Sequence, residues 1–202
     1  MMKNKIKNLV DANEISSLLK RISHEIVESS DDIQNIALIG IQSRGDYIAN
    51  RIANHINSIS KCDISLGTID VTFHRDDYKT NLGSPEIGVS NIKFDVTDRD
   101  LILVDDVLYT GRTTRAALDS ILDYGRPKRI ELVVLVDRGH RELPIRAGYV
   151  GEMIETTGEE VVDVQMTPID HVNGVFLTTK ELLRKGWCRR IWYKNESESI
   201  LV

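Results

Sequence analysis

Three short apolar runs limit the fold most tightly: NIALIGI (Asn35–Ile41), LILV (Leu101–Val104) and IELVVLV (Ile130–Val136). All are far too short to cross a bilayer and read as strands, and the continuous run Ile130–Val136 is of the kind covered on both faces. Such strands belong to parallel sheets, whose crossover helices supply the cover. Helical periodicity appears where those crossovers are needed. Ile48, Ile52 and Ile56 share one face of a helix predicted over Asp46–Ile59, and a second helix is predicted over Thr113–Tyr124, with Gly125 and Pro127 as its stop signal. Upstream, Asp11 and Glu14 have capping-box spacing, and Ile15, Leu18, Leu19, Ile22 and Ile26 predict a helix over Ala12–Glu28. Ile64–Phe73 reads as a further strand. The polar stretch His74–Asp95, with Gly83, Pro85 and Gly88, reads as a long loop of the kind that is usually functional or mobile.

This order predicts an α/β fold: a mainly parallel central sheet flanked by helices. Ligands of such sheets bind beyond the carboxyl ends of the strands. Polar turns stand at three of those ends, Gln42–Gly45, Asp105–Thr113 and Asp137–Arg141.

With 202 residues, 41% of them apolar and 28% charged, the chain suits one globular domain, or one domain with an appendage. The net charge of −5 argues against a surface that is a nucleic-acid footprint throughout, and leaves room for a local basic patch. Cys62 and Cys188 show neither metal-ligand spacing nor a disulfide framework, which suits a reducing compartment. No stretch at the start of the chain has signal-peptide form, so a cytoplasmic protein with no membrane partner is expected.

The chemistry concentrates in LILVDDVLYTGRTTRAALDSILDYG, Leu101–Gly125. Backbone amides opening a helix after Leu108 favour an anion such as phosphate. Thr110, Thr113 and Thr114 add hydroxyls, and Gly111 permits close backbone approach. The spacings GxxxxGK[ST] and GxGxxG are absent, so the usual triphosphate and dinucleotide signatures are missing. Taken alone, Asp105 and Asp106 are better explained by one helix cap and one solvated acid. Placed just before a phosphate cradle, the pair can instead accept from two vicinal sugar hydroxyls and stabilise positive charge on an anomeric carbon. That combination describes a ribose 5-phosphate.

LILVDDVLYTGRT closely resembles the 5-phosphoribosyl 1-pyrophosphate (PRPP) motif of type I phosphoribosyltransferases. Together with VLVDRGHRELPIRA it resembles the PyrR family, whose members are uracil phosphoribosyltransferases and RNA-binding attenuation proteins. The resemblance covers about Asp11–Gln165. It implies the type I phosphoribosyltransferase fold with a small hood, within a domain of residues 1–166 and a C-terminal extension, 167–202. It further implies transfer of phosphoribose from PRPP to uracil, giving UMP and pyrophosphate. Control of pyrimidine genes through uridine-nucleotide-dependent binding to pyr leader mRNA is also implied, with UMP or UTP as effector. The alternatives are uracil salvage with RNA binding lost, or transfer to another base.

Carried over residue by residue, the resemblance assigns PRPP or nucleotide contacts to Ser43, Arg44, Asp105, Asp106, Val107, Leu108, Tyr109, Thr110, Gly111, Arg112 and Thr113. A non-proline cis peptide is expected immediately before Arg44. Asp105, Asp106 and Arg75, the last in the loop motif HRDD (His74–Asp77), are the implied catalytic residues. In the family that motif more commonly begins with Tyr. Val136, Asp137, Arg138 and Val162 are implied at the base, although Arg138 reads otherwise as an ordinary surface arginine. Mg²⁺ is implied as a cofactor carried by the substrate's phosphates, with no dedicated protein ligands. A homodimer or higher homo-oligomer is expected.

On the first helix Arg21 and His24, beside Lys20, lie away from Ile22 and Ile26 and project together. Their RxxHE pattern resembles the family's RNA-contact surface; further basic residues of that surface are replaced here by Ser29 and Glu152. Near the C-terminus a short helix, Lys180–Lys185, precedes a strand in which Trp187, Arg189, Ile191 and Tyr193 share one face. That face suits either stacking on single-stranded RNA or packing on the domain or on a second copy.

Overall fold

A computed structural model describes residues 6–71 and 90–184. The chain forms two compact units, one of residues 13–155 and one that joins 1–12 to 156–202. In chain order the elements are β1 (Lys7–Val10), α1 (Ala12–Ser29), β2 (Ile36–Ile41), α2 (Gly45–Ser60), β3 (Ser65–Ile69) and β4 (Asp100–Leu108). They continue with α3 (Arg112–Leu122), β5 (Arg129–Asp137), β6 (Tyr149–Met153), β7 (Glu160–Gln165), β8 (Gly174–Thr179) and α4 (Lys180–Arg184).

The larger unit is built on a sheet of order β3-β2-β4-β5-β6, parallel at every pairing. The three apolar runs are β2, β4 and β5. All six residues of β2 are buried, as a strand covered on both faces requires. Side chains alternate across the sheet. Ala37, Ile39, Ile41, Leu101, Leu103 and Val134 pack with Ala116, Ala117 and Ile121 of α3. Gly40 points the other way, where a Cβ would overlap the backbone of Gly45 and Asp46 in α2. Ile26 of α1 shares a cavity with Ile36 and Ile102, which belong to that second face. Hence α1 and α2 lie on one face and α3 on the other.

The sequence places the end of the fourth strand at Val104, whereas β4 continues to Leu108 through the acid pair. The ladder is the reason: Asp105 pairs with Val134 and Val107 with Val136, so β5 holds the backbone extended past the apolar run. Four strands were not delimited from sequence. β1, β6, β7 and β8 are short and mix polar with apolar residues, and β6 is an edge strand.

Strand order also locates a crevice. From β2 the chain crosses over α2 to β3 on one side, and from β4 it crosses over α3 to β5 on the other. Adjacent strands whose connections diverge leave open the space beyond their carboxyl ends, the switch point where ligands of such sheets bind. Beyond β3, the Ser90 hydroxyl lies 3.1 Å from the Asp70 N–H, and Thr68 and Asn91 exchange backbone hydrogen bonds. Residues 72–89, with Arg75 and the HRDD motif, fall outside the described residues.

In the smaller unit β8 pairs antiparallel with both β1 and β7. The 167–202 segment, read from sequence as an extension, thus contributes β8 to a sheet that begins near the N-terminus. The described part of the predicted C-terminal helix is α4; Trp187, Arg189, Ile191 and Tyr193 lie outside the described residues.

Candidate active site

The turns beyond β2 and β4 meet at the switch point because of Gly45. A Cβ there would run into the Val104 carbonyl oxygen and come within 3.1 Å of Asp105 Cα. With hydrogen in its place, the start of α2 abuts the strand carrying the acid pair. Gly45, which follows Ser43 and Arg44 in the chain, is thereby set against Asp105. Arg44 is the N-cap of α2, its carbonyl accepting from the Ile48 N–H at 3.1 Å. The turn contains a non-proline cis peptide at Gln42–Ser43, one bond earlier than expected.

Asp105 is only 7% exposed, and one of its oxygens accepts the Asp106 N–H at 2.9 Å. Asp106 is half-buried and accepts the Val107 N–H at 2.8 Å. Each carboxylate is thus steadied by the amide of the residue that follows it.

The turn after β4 has its peptide groups sorted by direction. Leu108 O accepts from Arg138 N at 3.1 Å, and Thr110 O accepts from Glu142 N at 3.0 Å and Leu143 N at 3.2 Å. Tyr109 O accepts from the Arg141 guanidinium at 2.8 Å. Three successive carbonyls therefore point to the loop after β5. In a trans peptide the N–H opposes the C=O, so the amides of Tyr109, Thr110 and Gly111 point to the opposite side, as an anion cradle requires. Gly111, at φ 92°, is the N-cap of α3 and has no side-chain cap bond. Leu143 and Ile145 occupy the space its Cβ would approach, within 3.5 Å.

The loop after β5 carries the expected base-site residues. Arg138 is no surface arginine: it is 6% exposed, and its guanidinium lies 4.0 Å from the centre of the Tyr109 ring. Tyr109 also meets His140 edge to face at 6.1 Å. The Asp137 carbonyl accepts from Ile154 N at 2.9 Å, so main-chain groups of 137–138 are already engaged within the protein. Val136 is fully buried in β5. Val162 lies in β7 of the other unit, opposite Leu177.

Arg141 ties the two loops together, a role not assigned from sequence. Its guanidinium donates to the carbonyls of Leu108 (3.3 Å), Tyr109 (2.8 Å), Gly139 (3.0 Å) and Ile145 (3.1 Å), and it pairs with the Asp137 carboxylate. The only sequence signal was an arginine at the end of a polar turn. The Arg112 Nε reaches Glu142 at 2.7 Å, a half-exposed pair across the same loops.

On α1 the projection expected of Arg21 is not observed. Its guanidinium bonds Glu25 at 2.6 Å and donates to the carbonyls of Val150 and Gly151 at 2.9 and 2.6 Å, acceptors on the edge strand β6. Lys20 and His24 are exposed. Ser29 bonds the Tyr149 hydroxyl at 2.6 Å.

A model of the phosphoribosyl transferase domain matches residues 5–168. The chain is 46% identical over 173 residues to the bifunctional protein PyrR of Caldicellulosiruptor bescii, covering 86% of this chain and 95% of that one. It is 48% identical to the bifunctional protein PyrR of Clostridioides difficile, over 86% and 97% of the two chains. The chain therefore belongs to the phosphoribosyltransferase family, in its PyrR branch. Among solved structures, a hypoxanthine-guanine phosphoribosyltransferase of Bacillus anthracis matches with TM-score 0.66 and 18% identity, over 88% of this chain and 99% of that one. This likeness bears on the fold alone.

Proposed function

We propose that the protein transfers the phosphoribosyl group of PRPP to uracil and also regulates pyrimidine-biosynthesis genes by binding their leader mRNA as uridine nucleotides direct. The observation carrying the enzymatic reading is the junction of acid pair, outward-facing amides and α3 at the switch point, in a chain of the PyrR branch. The cradle of residues 109–113 takes the 5-phosphate. Asp105 and Asp106 accept from the ribose 2- and 3-hydroxyls and stabilise positive charge developing at C1. Ser43 and Arg44 hold the pyrophosphate. The bond from C1 to the pyrophosphate oxygen breaks, a bond from C1 to uracil nitrogen forms, and the nitrogen's proton is released. The loop of residues 136–138 holds the base, and Arg75 neutralises the leaving group.

Among the described residues, no cluster of three or more His, Cys, Asp and Glu could hold a metal ion. The carboxylates of Asp105 and Asp106 fit a Mg²⁺ that takes most of its ligands from phosphates and water. Bound in that way, it would offset the charge of the pyrophosphate. The relatives' name, bifunctional protein PyrR, favours neither loss of the second role nor a change of base. We place the protein in the cytoplasm as a homo-oligomer. Among the described residues no helix is long and apolar enough to cross a membrane.

The test is formation of UMP from labelled uracil and PRPP with Mg²⁺. Hypoxanthine, guanine and orotate serve as competitors. Product from uracil is expected, and Asp105→Asn is expected to abolish most of it. No UMP, or a preferred purine or orotate, refutes the reading.

A further inference from the structure

The ring of Tyr109 has no part in the transfer reaction proposed above, which uses only the backbone of that turn. Tyr109 stands three residues after Asp106, so their Cα atoms are at most about 11 Å apart. Its side chain reaches the loop after β5, and the residue is 37% exposed. That exposure is one-sided. Arg138, only 6% exposed, lays its guanidinium over one face of the ring, 4.0 Å from the centre, so the ring's accessible area lies on its edge and opposite face. The His140 imidazole, 6.1 Å away with its plane turned by 68°, borders this flat surface without continuing it.

The surface is also fixed from several sides. Tyr109 O accepts from the Arg141 guanidinium at 2.8 Å, and Leu108 O accepts from Arg138 N at 3.1 Å. Gly139 N donates to the Asp137 carboxylate at 2.9 Å, and Gly139 O accepts from Arg141 at 3.0 Å. Within this bracket the exposed His140 is held at φ 58°, a left-handed conformation costly for a residue with a Cβ. Strain of this kind persists only where surrounding contacts over-determine it, and here those contacts set the groups around the Tyr109 ring. An aromatic face fixed before its ligand arrives loses little freedom when a flat ring stacks on it. The Asp137 carbonyl and the Arg138 N–H are already engaged within the protein, which leaves side chains to meet a base on this loop.

We propose that the Tyr109 side chain is the platform on which the pyrimidine base stacks, with Arg138 backing the ring and His140 bordering it. The base lies flat on the face turned away from Arg138, and its nitrogen is directed at the sugar carbon beside Asp105 and Asp106. Stacking uses the ring and not the hydroxyl. This rests on the transferase reading given above.

The test measures initial rates of UMP formation by the full-length protein with uracil and PRPP varied in turn, and UMP affinity by calorimetry, for wild type, Tyr109→Phe and Tyr109→Leu. Loss of one base–aromatic stack weakens binding by about 5- to 150-fold. Tyr109→Leu is therefore expected to raise the KM for uracil and weaken UMP binding by that factor, with the KM for PRPP little changed. Tyr109→Phe should stay close to wild type. Because leucine also uncovers Arg138, a further variant guards against loss of the fold: Tyr109→Trp should keep activity, and UMP should quench its added fluorescence beyond any change at the native Trp187 and Trp192, whereas ribose 5-phosphate should not. If wild-type protein forms UMP and folded Tyr109→Leu keeps its uracil KM and UMP affinity, the platform is wrong while the transferase reading stands. An equal rise in both KM values, a phenylalanine variant as impaired as leucine, or a tryptophan variant blind to UMP also overturns it. If wild-type protein forms no UMP, both fall together.

Discussion

Replacing Arg141 with alanine removes the link between the turn after β4, the proposed phosphate cradle, and the loop after β5, the proposed base loop. The bonds to Tyr109 O and Gly139 O are exposed, and water can take them over at little cost. Those to Leu108 O, Ile145 O and the Asp137 carboxylate are partly buried. At about 1 kcal/mol net for each bond that water does not replace, docking of the loop weakens by about 3 kcal/mol. If substrates bind only the docked loop, this appears as about a 100-fold loss in kcat/KM. The loss should fall on the KM of both PRPP and uracil, because the same guanidinium orients the Tyr109 carbonyl and the Asp137 side chain. Initial rates with each substrate varied in turn measure it. Arg141→Lys should recover little, since an ammonium cannot reproduce the planar fork of donors. Added guanidinium ion should restore part of the activity of Arg141→Ala. A lower melting temperature with both KM values unchanged would refute the argument, as would full recovery in the lysine variant.

Other perturbations give sharper local answers. Gly45→Ala forces a methyl group into the Val104 carbonyl, so about 1–3 kcal/mol of stability should go, with loss of UMP formation; urea unfolding and the uracil assay report the two effects. Gly111→Ala, at φ 92°, should cost about 1–2 kcal/mol and raise the KM for PRPP more than that for uracil. Glu142→Gln breaks a half-exposed pair with Arg112 and should shift stability by less than about 1 kcal/mol in denaturant titration. His55 has a folded-state pKa depressed by burial and by Lys20, Arg51 and His24, so its contribution is fully present above its unfolded value near 6.5. That contribution is lost as pH falls through the folded value. Urea midpoints measured downward from pH 7 should fall faster for the wild type than for His55→Gln.

Much was legible in the sequence because the information was local. Continuous apolar runs mark covered strands, period-3.6 stripes mark helices, and the chain from Leu101 to Gly125 contains strand, acids, turn and helix in contact order. Motif resemblance added the donors Ser43 and Arg44, which local reading alone would have left as a turn. β1 and β6–β8 escaped because each is short and of mixed polarity, and takes its strand character from pairing partners distant in the chain. Arg138 shows the same limit. No neighbour in sequence predicts that a guanidinium will be buried against the ring of Tyr109, a residue on another loop.

Local patterning decided that this chain forms helices and covered strands, and that a small-residue turn opening a helix follows Asp106. Tertiary structure decided the strand order that sends the chain apart between β2 and β4, which is what opens a crevice between them. It decided which way the carbonyls of Leu108, Tyr109 and Thr110 point, through donors some thirty residues later. It also withdrew Arg21 to β6. The physical reason is the range of the forces: hydrophobic period and capping act over a few residues, whereas hydrogen bonds and charges act on whatever the completed sheet brings near.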